Sequence, residues 1–151
     1  MTETLLLTLP VIVRFSDCDP LGHVNNAKYS TYLEQARIVL WRKQIGFSSR
    51  RAAEGGARGH GFILARAEID FKSQAHDGDE LLVKLWIDGF GRSSATYRYE
   101  IVGAPTGRLV AAAKTVQVWF DYDAGQTLPI SDELKAKLTM PVSSYSGRHL
   151  R

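Results

Sequence analysis

After residue 61 the chain contains four segments with the composition of β-strands, and only short turns separate them. The predicted strands are Phe62–Phe71, Leu81–Phe90, Ser94–Val102 and Leu109–Phe120. The third shows the clearest alternation, with apolar residues at every second position from Ala95 to Ile101. Turns rich in glycine and aspartate connect the four strands and favour antiparallel pairing in a meander. An antiparallel sheet is therefore the main constraint on the fold.

The first half of the chain predicts one further strand and one long helix. Residues Leu5–Phe15 are apolar, and Pro10 confines this strand to a sheet edge or a bulge. The helix begins at Asn25 or Asn26, because an asparagine side chain can accept a hydrogen bond from a free first-turn N–H. Apolar residues then recur at steps of three and four until Gly46 ends the helix. A second, short helix is predicted over Ser131–Leu138, with the serine as its cap.

These elements predict a single α+β domain that spans residues 1–151. An antiparallel sheet of about five strands has one face free to wrap around the long helix. Its edges and its second face stay partly uncovered, so we expect self-association. A chain of 151 residues buries enough surface to fold without a disulfide or metal staple. The single cysteine, Cys18, excludes an internal disulfide and fits a reducing compartment.

Several protein classes lack support in the sequence. No stretch approaches 18 apolar residues, and the apolar segment at Leu5–Val13 has neither a basic leader nor a small-residue cleavage site. We therefore expect a cytoplasmic protein with no membrane partner. The net charge is only +3, and no nucleic-acid-binding motif is present, so no nucleic-acid partner is expected. Seven basic residues and one acid lie between Arg37 and Arg66, which predicts either an attraction for anionic ligands or a solvated basic surface.

Metal and cofactor motifs are also missing. The four histidines show none of the close pairing that zinc needs, and there is no second cysteine. The glycines around Gly89-Phe-Gly91 and after Glu54 complete no dinucleotide fingerprint. No G-x-S-x-G nucleophile elbow occurs. The sequence thus predicts neither a metal nor a cofactor.

The densest group of chemically capable residues is the segment DCDPLGHVNNAKY, from Asp17 to Tyr29. It runs from the end of a strand, through a tight loop, into the start of the long helix. Such a path places a carboxylate near free backbone N–H groups at the positive end of a helix dipole. That pair suits acyl chemistry, in which the amides stabilise an oxyanion and the carboxylate attacks or activates water.

A cysteine nucleophile with His23 as its base is the competing interpretation of this segment. Cys18 lies between Asp17 and Asp19, and both carboxylates would raise the pKa of its thiol. The thiolate would then be scarce at neutral pH. This argument favours a carboxylate over the thiol as the reactive group.

The same segment resembles the active-site stretch of the hot-dog-fold acyl-CoA thioesterases, the group that contains 4-hydroxybenzoyl-CoA thioesterase. Asp-Cys-Asp-Pro is similar to that enzyme, and Gly-His-Val-Asn-Asn is similar to the long-chain acyl-CoA branch. Weaker similarities are the aromatic helix, the turn at residues 91–94, and Trp119-Phe120-Asp121 with Pro129-Ile130. The resemblance covers nearly the whole chain and implies a hot-dog fold.

The resemblance also implies roles for individual residues. Asp19 matches the catalytic carboxylate, which either attacks the thioester carbonyl to give a mixed anhydride or activates a water molecule. Asn26 matches the position whose backbone N–H points at that carbonyl. The residues expected to border the substrate are His23, Asn25, Tyr29, Arg92 and Ser93. Asp17 is expected to shape the turn. The sequence differs from the hydroxybenzoyl enzyme after Gly22, which favours aliphatic acyl groups.

The substrate and assembly implied are an acyl-CoA and a homodimer or homotetramer with its sites at the dimer interface. Basic residues expected near the phosphates of coenzyme A are Arg50, Arg51, Arg58, Lys72 and Arg92. Two alternatives stay open, namely hydrolysis of an acyl-carrier-protein thioester and non-catalytic binding of acyl-CoA. Binding alone would not need a carboxylate facing the thioester. Hot-dog hydratases fit less well, since their histidine–acid arrangements do not match residues 17–26.

Overall fold

The computed structural model describes residues 4–47 and 59–142. Within these residues the chain forms a six-stranded antiparallel sheet, one long helix and one short helix. The strands are β1 (Leu5–Ile12), β2 (His60–Phe71), β3 (Glu80–Phe90), β4 (Ser94–Gly103), β5 (Leu109–Asp121) and β6 (Gln126–Thr127), and the helices are α1 (Asn26–Ile45) and α2 (Asp132–Leu138). The predicted α+β architecture is confirmed. The two-residue strand β6, which pairs with the end of β5, was not predicted.

The order of strands across the sheet is β1-β3-β4-β5-β2. Strands β3, β4 and β5 form the predicted meander, but the prediction that β2 continues it was wrong. β2 pairs with β5 at one edge, and β3 pairs with β1 near the other. The eight residues from 72 to 79 connect β2 at one edge to β3 near the other edge. Within this connection the buried Ala75 passes beside the start of α1, and its carbonyl accepts a hydrogen bond from the Val24 N–H (2.8 Å).

β1 is shorter than predicted and lies at the sheet edge, as Pro10 indicated. It ends at Ile12 instead of Phe15, and Phe15–Asp17 forms a single 3-10 turn. The Asp17 N–H donates to the Arg14 carbonyl (2.9 Å), and the Arg14 N–H donates to the Asp17 carboxylate (3.1 Å). These local bonds turn the chain away from the sheet before the strand reaches Phe15, the end expected from hydropathy alone.

The ends of both helices follow the predicted rules. The Asn25 side chain accepts a hydrogen bond from the Ala27 N–H (3.0 Å), so Asn25 is the cap and Asn26 the first helical residue. Gly46 ends α1 with φ at +67°, a left-handed conformation that glycine adopts without strain. Ser131 caps α2 by accepting from the Leu134 N–H (3.1 Å).

The core lies between α1 and the inner face of the sheet. The alternation predicted for β4 is confirmed, since Ala95, Tyr97, Tyr99 and Ile101 are all buried. The backbone of α1 runs closest to β1 and β3, and β2 has no buried residue along its length. In the described part of the chain, neither helix combines the length and the apolar character that a membrane span requires.

Candidate active site

Residues 17–25 form a small hairpin that leads directly into α1. Cys18 and Val24 pair as an isolated antiparallel bridge, and the Asn25 N–H donates to the Asp17 carbonyl (2.9 Å). The Asp19 N–H donates to the His23 carbonyl (3.0 Å), and the Gly22 N–H closes the turn on the Asp19 carbonyl (3.0 Å). Gly22 has φ at +90°, which favours glycine at this position. Asp19 is thus fixed at the start of a four-residue turn that immediately precedes the helix.

The Asp19 carboxylate has one oxygen occupied by the turn and one directed at a histidine. Oδ1 accepts a hydrogen bond from the Leu21 N–H (2.9 Å), while Oδ2 lies 3.7 Å from Nδ1 of His23. The side chain keeps 22% of its surface exposed. Asp19 therefore shapes the loop and still presents carboxylate surface to a ligand.

Asn25 and Asn26 have different roles at the start of α1. The Asn25 side chain is occupied as the helix cap. Asn26 is exposed, and the helical geometry gives its backbone N–H no acceptor within the helix. A carbonyl oxygen placed there would meet an N–H donor at the positive end of the helix dipole.

Asp17 stabilises the base of the hairpin through buried hydrogen bonds. Its carboxylate is 3% exposed and accepts hydrogen bonds from the Tyr32 hydroxyl (2.9 Å) and the Arg14 backbone N–H (3.1 Å). Burial acts to raise the pKa of Asp17, but these hydrogen bonds and the Arg14 guanidinium outweigh it and hold the pKa below the usual value. Asp17 is consequently an ionised structural residue, in agreement with its expected role in shaping the turn.

Tyr32 is a site residue that sequence reasoning missed. It was predicted only as one apolar position of the α1 stripe, and its hydroxyl contacts a residue fifteen positions earlier in the chain. Hydropathy patterns report which face is buried and carry no information on such a polar contact.

Tyr29 and Cys18 contribute packing beside the hairpin. Tyr29 is buried, and its ring lies 5.9 Å from that of Tyr32 and 5.4 Å from that of Phe71. Burial raises the pKa of the Cys18 thiol, and the charges of Asp77, Asp17 and Asp19 add to the increase. The structure therefore agrees with the argument against a thiolate nucleophile.

Arg92 and Ser93 lie at the opposite end of the sheet from Asp19 within one chain. The Val13 N–H donates to the Asp79 carbonyl, so the Asp19 hairpin leaves the sheet beside the start of β3, whereas Arg92 follows its end. The length of β3 separates these ends by about 30 Å. Lys72 directly follows β2 at the Asp19 end. Arg50, Arg51 and Arg58 are outside the described residues.

The other groups of charged side chains have different locations. A surface depression on the outer sheet face is lined by Glu68, Asp70, Arg98, Glu100 and Lys114, and the sheet separates it from α1. Within residues 4–47 and 59–142, no three His, Cys, Asp or Glu side chains gather closely enough to hold a metal ion.

The similarity of this chain to known proteins identifies its family. Residues 13–138 match the family described as the thioesterase-like superfamily. This chain belongs to the thioesterase-like superfamily. The hot-dog resemblance carried by residues 17–29 is confirmed, and the enzyme class is that of the thioester hydrolases.

Relatives of this thioesterase-like chain include two curated enzymes. It is 27% identical to the long-chain acyl-CoA thioesterase FadM of Escherichia coli over 130 residues, which are 86% of this chain and 95% of FadM. It is 28% identical to the chloroplastic acyl-acyl carrier protein thioesterase ATL3 of Arabidopsis thaliana over 109 residues. That match covers 72% of this chain and spans only 55% of the plant protein.

Solved structures of thioesterases share the fold. A Thermus thermophilus thioesterase complexed with coenzyme A and Zn is 33% identical, with a TM-score of 0.70 over 87% of this chain and 90% of that one. Slr0204, a 1,4-dihydroxy-2-naphthoyl-CoA thioesterase from Synechocystis, is 26% identical, with a TM-score of 0.74 over 87% and 93%.

Proposed function

We propose that this protein is an acyl-CoA thioesterase in which Asp19 is the catalytic carboxylate. The observation that carries the proposal is the hairpin of residues 17–25, which fixes the partly exposed Asp19 carboxylate shortly before α1, where the Asn26 N–H has no acceptor within the helix. The similarity of the whole chain to FadM and to a thioesterase complexed with coenzyme A supports an acyl-CoA as the substrate.

The chemistry follows from the two groups at this position. The Asn26 N–H donates to the thioester carbonyl oxygen and stabilises the negative charge that develops there. Asp19 either attacks the carbonyl carbon, so that the coenzyme A thiolate leaves and water hydrolyses the mixed anhydride, or removes a proton from an attacking water. His23, Asn25 and Tyr29 border the substrate on the hairpin and the first turns of the helix.

The proposed enzyme is a dimer that pairs through the free edge of β2. This strand is twelve residues long and contains no proline, and in the described residues it pairs on one side only. A twofold axis would pair two such edges antiparallel. The Asp19 end of one protomer would then lie beside the sheet end that carries Arg92 and Ser93 of the partner subunit. Such a dimer reconciles the proposed substrate-binding role of these two residues with their distance from Asp19.

The deciding experiment is thiol release from a panel of acyl-CoAs that covers short, long and aromatic acyl groups. We expect turnover of one chain-length class by the wild type. Asp19→Asn should lower that turnover by at least about a hundredfold without changing the fold. Glu133→Gln is the matched control, because this carboxylate is 83% exposed on α2. Unchanged turnover of Asp19→Asn would remove this residue from the mechanism.

An acyl-carrier-protein thioester is the second candidate substrate, and the similarity to the plant acyl carrier protein thioesterase favours it. The same acyl group should be offered on both carriers. If hydrolysis is faster on the carrier protein, the proposed substrate becomes an acyl-carrier-protein thioester instead of an acyl-CoA. Binding of acyl-CoA by folded protein without release of thiol from either carrier would indicate the non-catalytic alternative.

A further inference from the structure

Helix α1 does not fully cover the apolar inner face of the sheet along β2. The inner-face residues of β2, here called the inner strip, are Phe62, Leu64, Ala67, Ile69 and Phe71, and each keeps part of its surface exposed. The strip meets α1 through aromatic contacts at its two ends. Phe71 lies 5.4 Å from Tyr29 near the Asp19 hairpin, and Phe62 stacks on Trp41 at 5.1 Å. The strip therefore runs from the candidate active site along the helix.

A buried polar cluster interrupts this apolar surface about half-way along. Nη1 of Arg37 donates to the Tyr99 hydroxyl (3.2 Å), which lies 2.6 Å from the Thr115 hydroxyl. Gln117 donates from Nε2 to the same threonine (3.3 Å). We call these four residues the polar niche. Thr115 is opposite Ala67 in the strand register, so the niche lies beside the smallest side chain of the strip.

The polar niche contains a positive charge that has no anion beside it among the described residues. Arg37 is only 5% exposed, and no carboxylate of the described residues pairs with it. A guanidinium has five N–H donors, and the bond to Tyr99 uses one of them. In the described chain, Gln44 Oε1 is the one fully buried side-chain polar atom without a hydrogen-bond partner. The Arg37 nitrogens that have no partner are therefore not fully buried, and they border accessible space.

Burial of an unpaired cation is costly, and an oxyanion supplied by a ligand would remove that cost. A carboxylate suits the niche best, because it accepts charge-assisted hydrogen bonds from the guanidinium and further bonds from hydroxyl and amide donors. Arg37 lies eleven positions after Asn26 in α1, which places the niche about 16 Å along the helix axis from the proposed thioester position.

We propose that the polar niche binds a carboxylate at the far end of the acyl chain, so that the preferred substrates are thioesters of long dicarboxylic acids. This inference rests on the proposed thioesterase function and specifies its substrate class. The apolar strip holds the methylene chain between the two polar ends. The stacked Trp41 and Phe62 lie beyond the niche and limit the length of chain that fits.

The test compares dodecanoyl-CoA with dodecanedioyl-CoA, which have equal chain lengths and differ in the terminal group. We expect kcat/KM of the wild type to favour the dicarboxylic thioester roughly tenfold or more. Thr115→Val and Gln117→Leu, which keep the side-chain volume, should reduce that ratio towards one with little change for dodecanoyl-CoA. Arg37→Met should abolish the preference if the variant folds. Thr96→Val, on the outer face of β4, is the matched control and should keep the wild-type ratio.

Other outcomes overturn the inference without touching the proposed function. Equal kcat/KM on the two thioesters, or equal losses on both in the niche variants, would show that the niche only stabilises the fold. If neither thioester is hydrolysed, the proposed function fails, and calorimetry with free dodecanedioate still decides the niche. Tighter binding of the dicarboxylate by wild type than by Gln117→Leu supports the inference, and equal binding contradicts it.

Discussion

At the scale of single residues, one hydrogen bond connects the hairpin of the candidate active site to the body of the long helix. The Tyr32 hydroxyl, in the second turn of α1, donates to the buried Asp17 carboxylate at the base of the hairpin. Asp17 in turn accepts the Asn25 N–H through its own carbonyl. Tyr32 therefore fixes the orientation of the hairpin, and with it the position of Asp19 relative to the Asn26 N–H.

Tyr32→Phe removes only this hydroxyl and keeps the aromatic packing against Tyr29. We expect the free energy of unfolding to fall by about 2 kcal/mol, because a hydrogen bond to a charged acceptor is lost. We also expect kcat to fall about threefold to tenfold while KM stays close to the wild-type value, since Asp19 is less well placed. Steady-state kinetics and urea unfolding check both results. An equal change in kcat for Tyr122→Phe would contradict a specific positioning role.

The lowered pKa of Asp17 makes part of the stability depend on pH. The folded state holds this pKa below its usual value of 3.8, so the contribution of Asp17 to stability is complete above about pH 4 and is lost as the pH falls through the folded pKa. Asp17→Asn should be less stable than wild type at pH 7, and the difference should shrink as the solution is acidified. Urea unfolding between pH 3 and pH 7 measures it. A constant difference over that range would show that Asp17 has an ordinary pKa.

The sequence predicted the local geometry of the hairpin better than the distant contacts that support it. Asp19, Gly22 and Asn25 were found because a tight turn and a helix start need specific residue types at fixed spacing. Tyr32 and Ala75 were missed, since their contacts join segments far apart in the chain. Likewise, no local pattern could show that Arg92 and Ser93 follow β3 at its other end.

At the scale of elements, the cap of α1 serves both the helix and the proposed chemistry. Asn25→Ala should lower the free energy of unfolding by about 1 kcal/mol and should also reduce turnover, because fraying of the first turn displaces the Asn26 N–H. Asn25→Asp should restore the stability, since aspartate caps equally well. Thermal unfolding and thiol release are the two measurements.

Gly46→Ala is the matched control for the cap, because Gly46 ends the same helix far from Asp19. Its φ of +67° makes alanine strained although no atom lies within 4 Å of the added methyl group. We expect a loss of about 1 kcal/mol in stability with unchanged turnover. Comparable losses of turnover in the two variants would mean that helix stability alone, and not the position of the first turn, limits the reaction.

Periodicity predicted the elements well but could not predict all their neighbours. Alternation along β4 and the caps of α1 and α2 are local properties, and each prediction was confirmed. The pairing of β2 with β5 depends on how the segment from residue 72 to 79 passes α1, which is a tertiary effect. The early end of β1 has a local cause, the hydrogen bonds of the 3-10 turn, which hydropathy does not report.

At the scale of the whole molecule, the free edge of β2 predicts the assembly. Leu64 is 51% exposed on the inner strip, and a charge there should oppose the close approach of a second β2 edge. We expect light scattering to give a dimer or a multiple of it for wild type and a smaller species for Leu64→Glu. Leu5→Glu, at the exposed start of the opposite edge strand, should keep the wild-type mass. A monomeric wild type at all concentrations would contradict the proposed dimer.

The strand order also determines when this chain can fold as it leaves the ribosome. β1 and β2 are synthesised early, yet each pairs with a strand made later: β1 with β3, and β2 with β5. β2 has no neighbour in the sheet until β5, which ends at Asp121, has been added, so its exposed apolar residues stay unpaired through about a third of synthesis. Such long-range pairing slows folding and prolongs the exposure of aggregation-prone surface. The nascent chain should therefore depend on chaperones more than a helical protein of the same length.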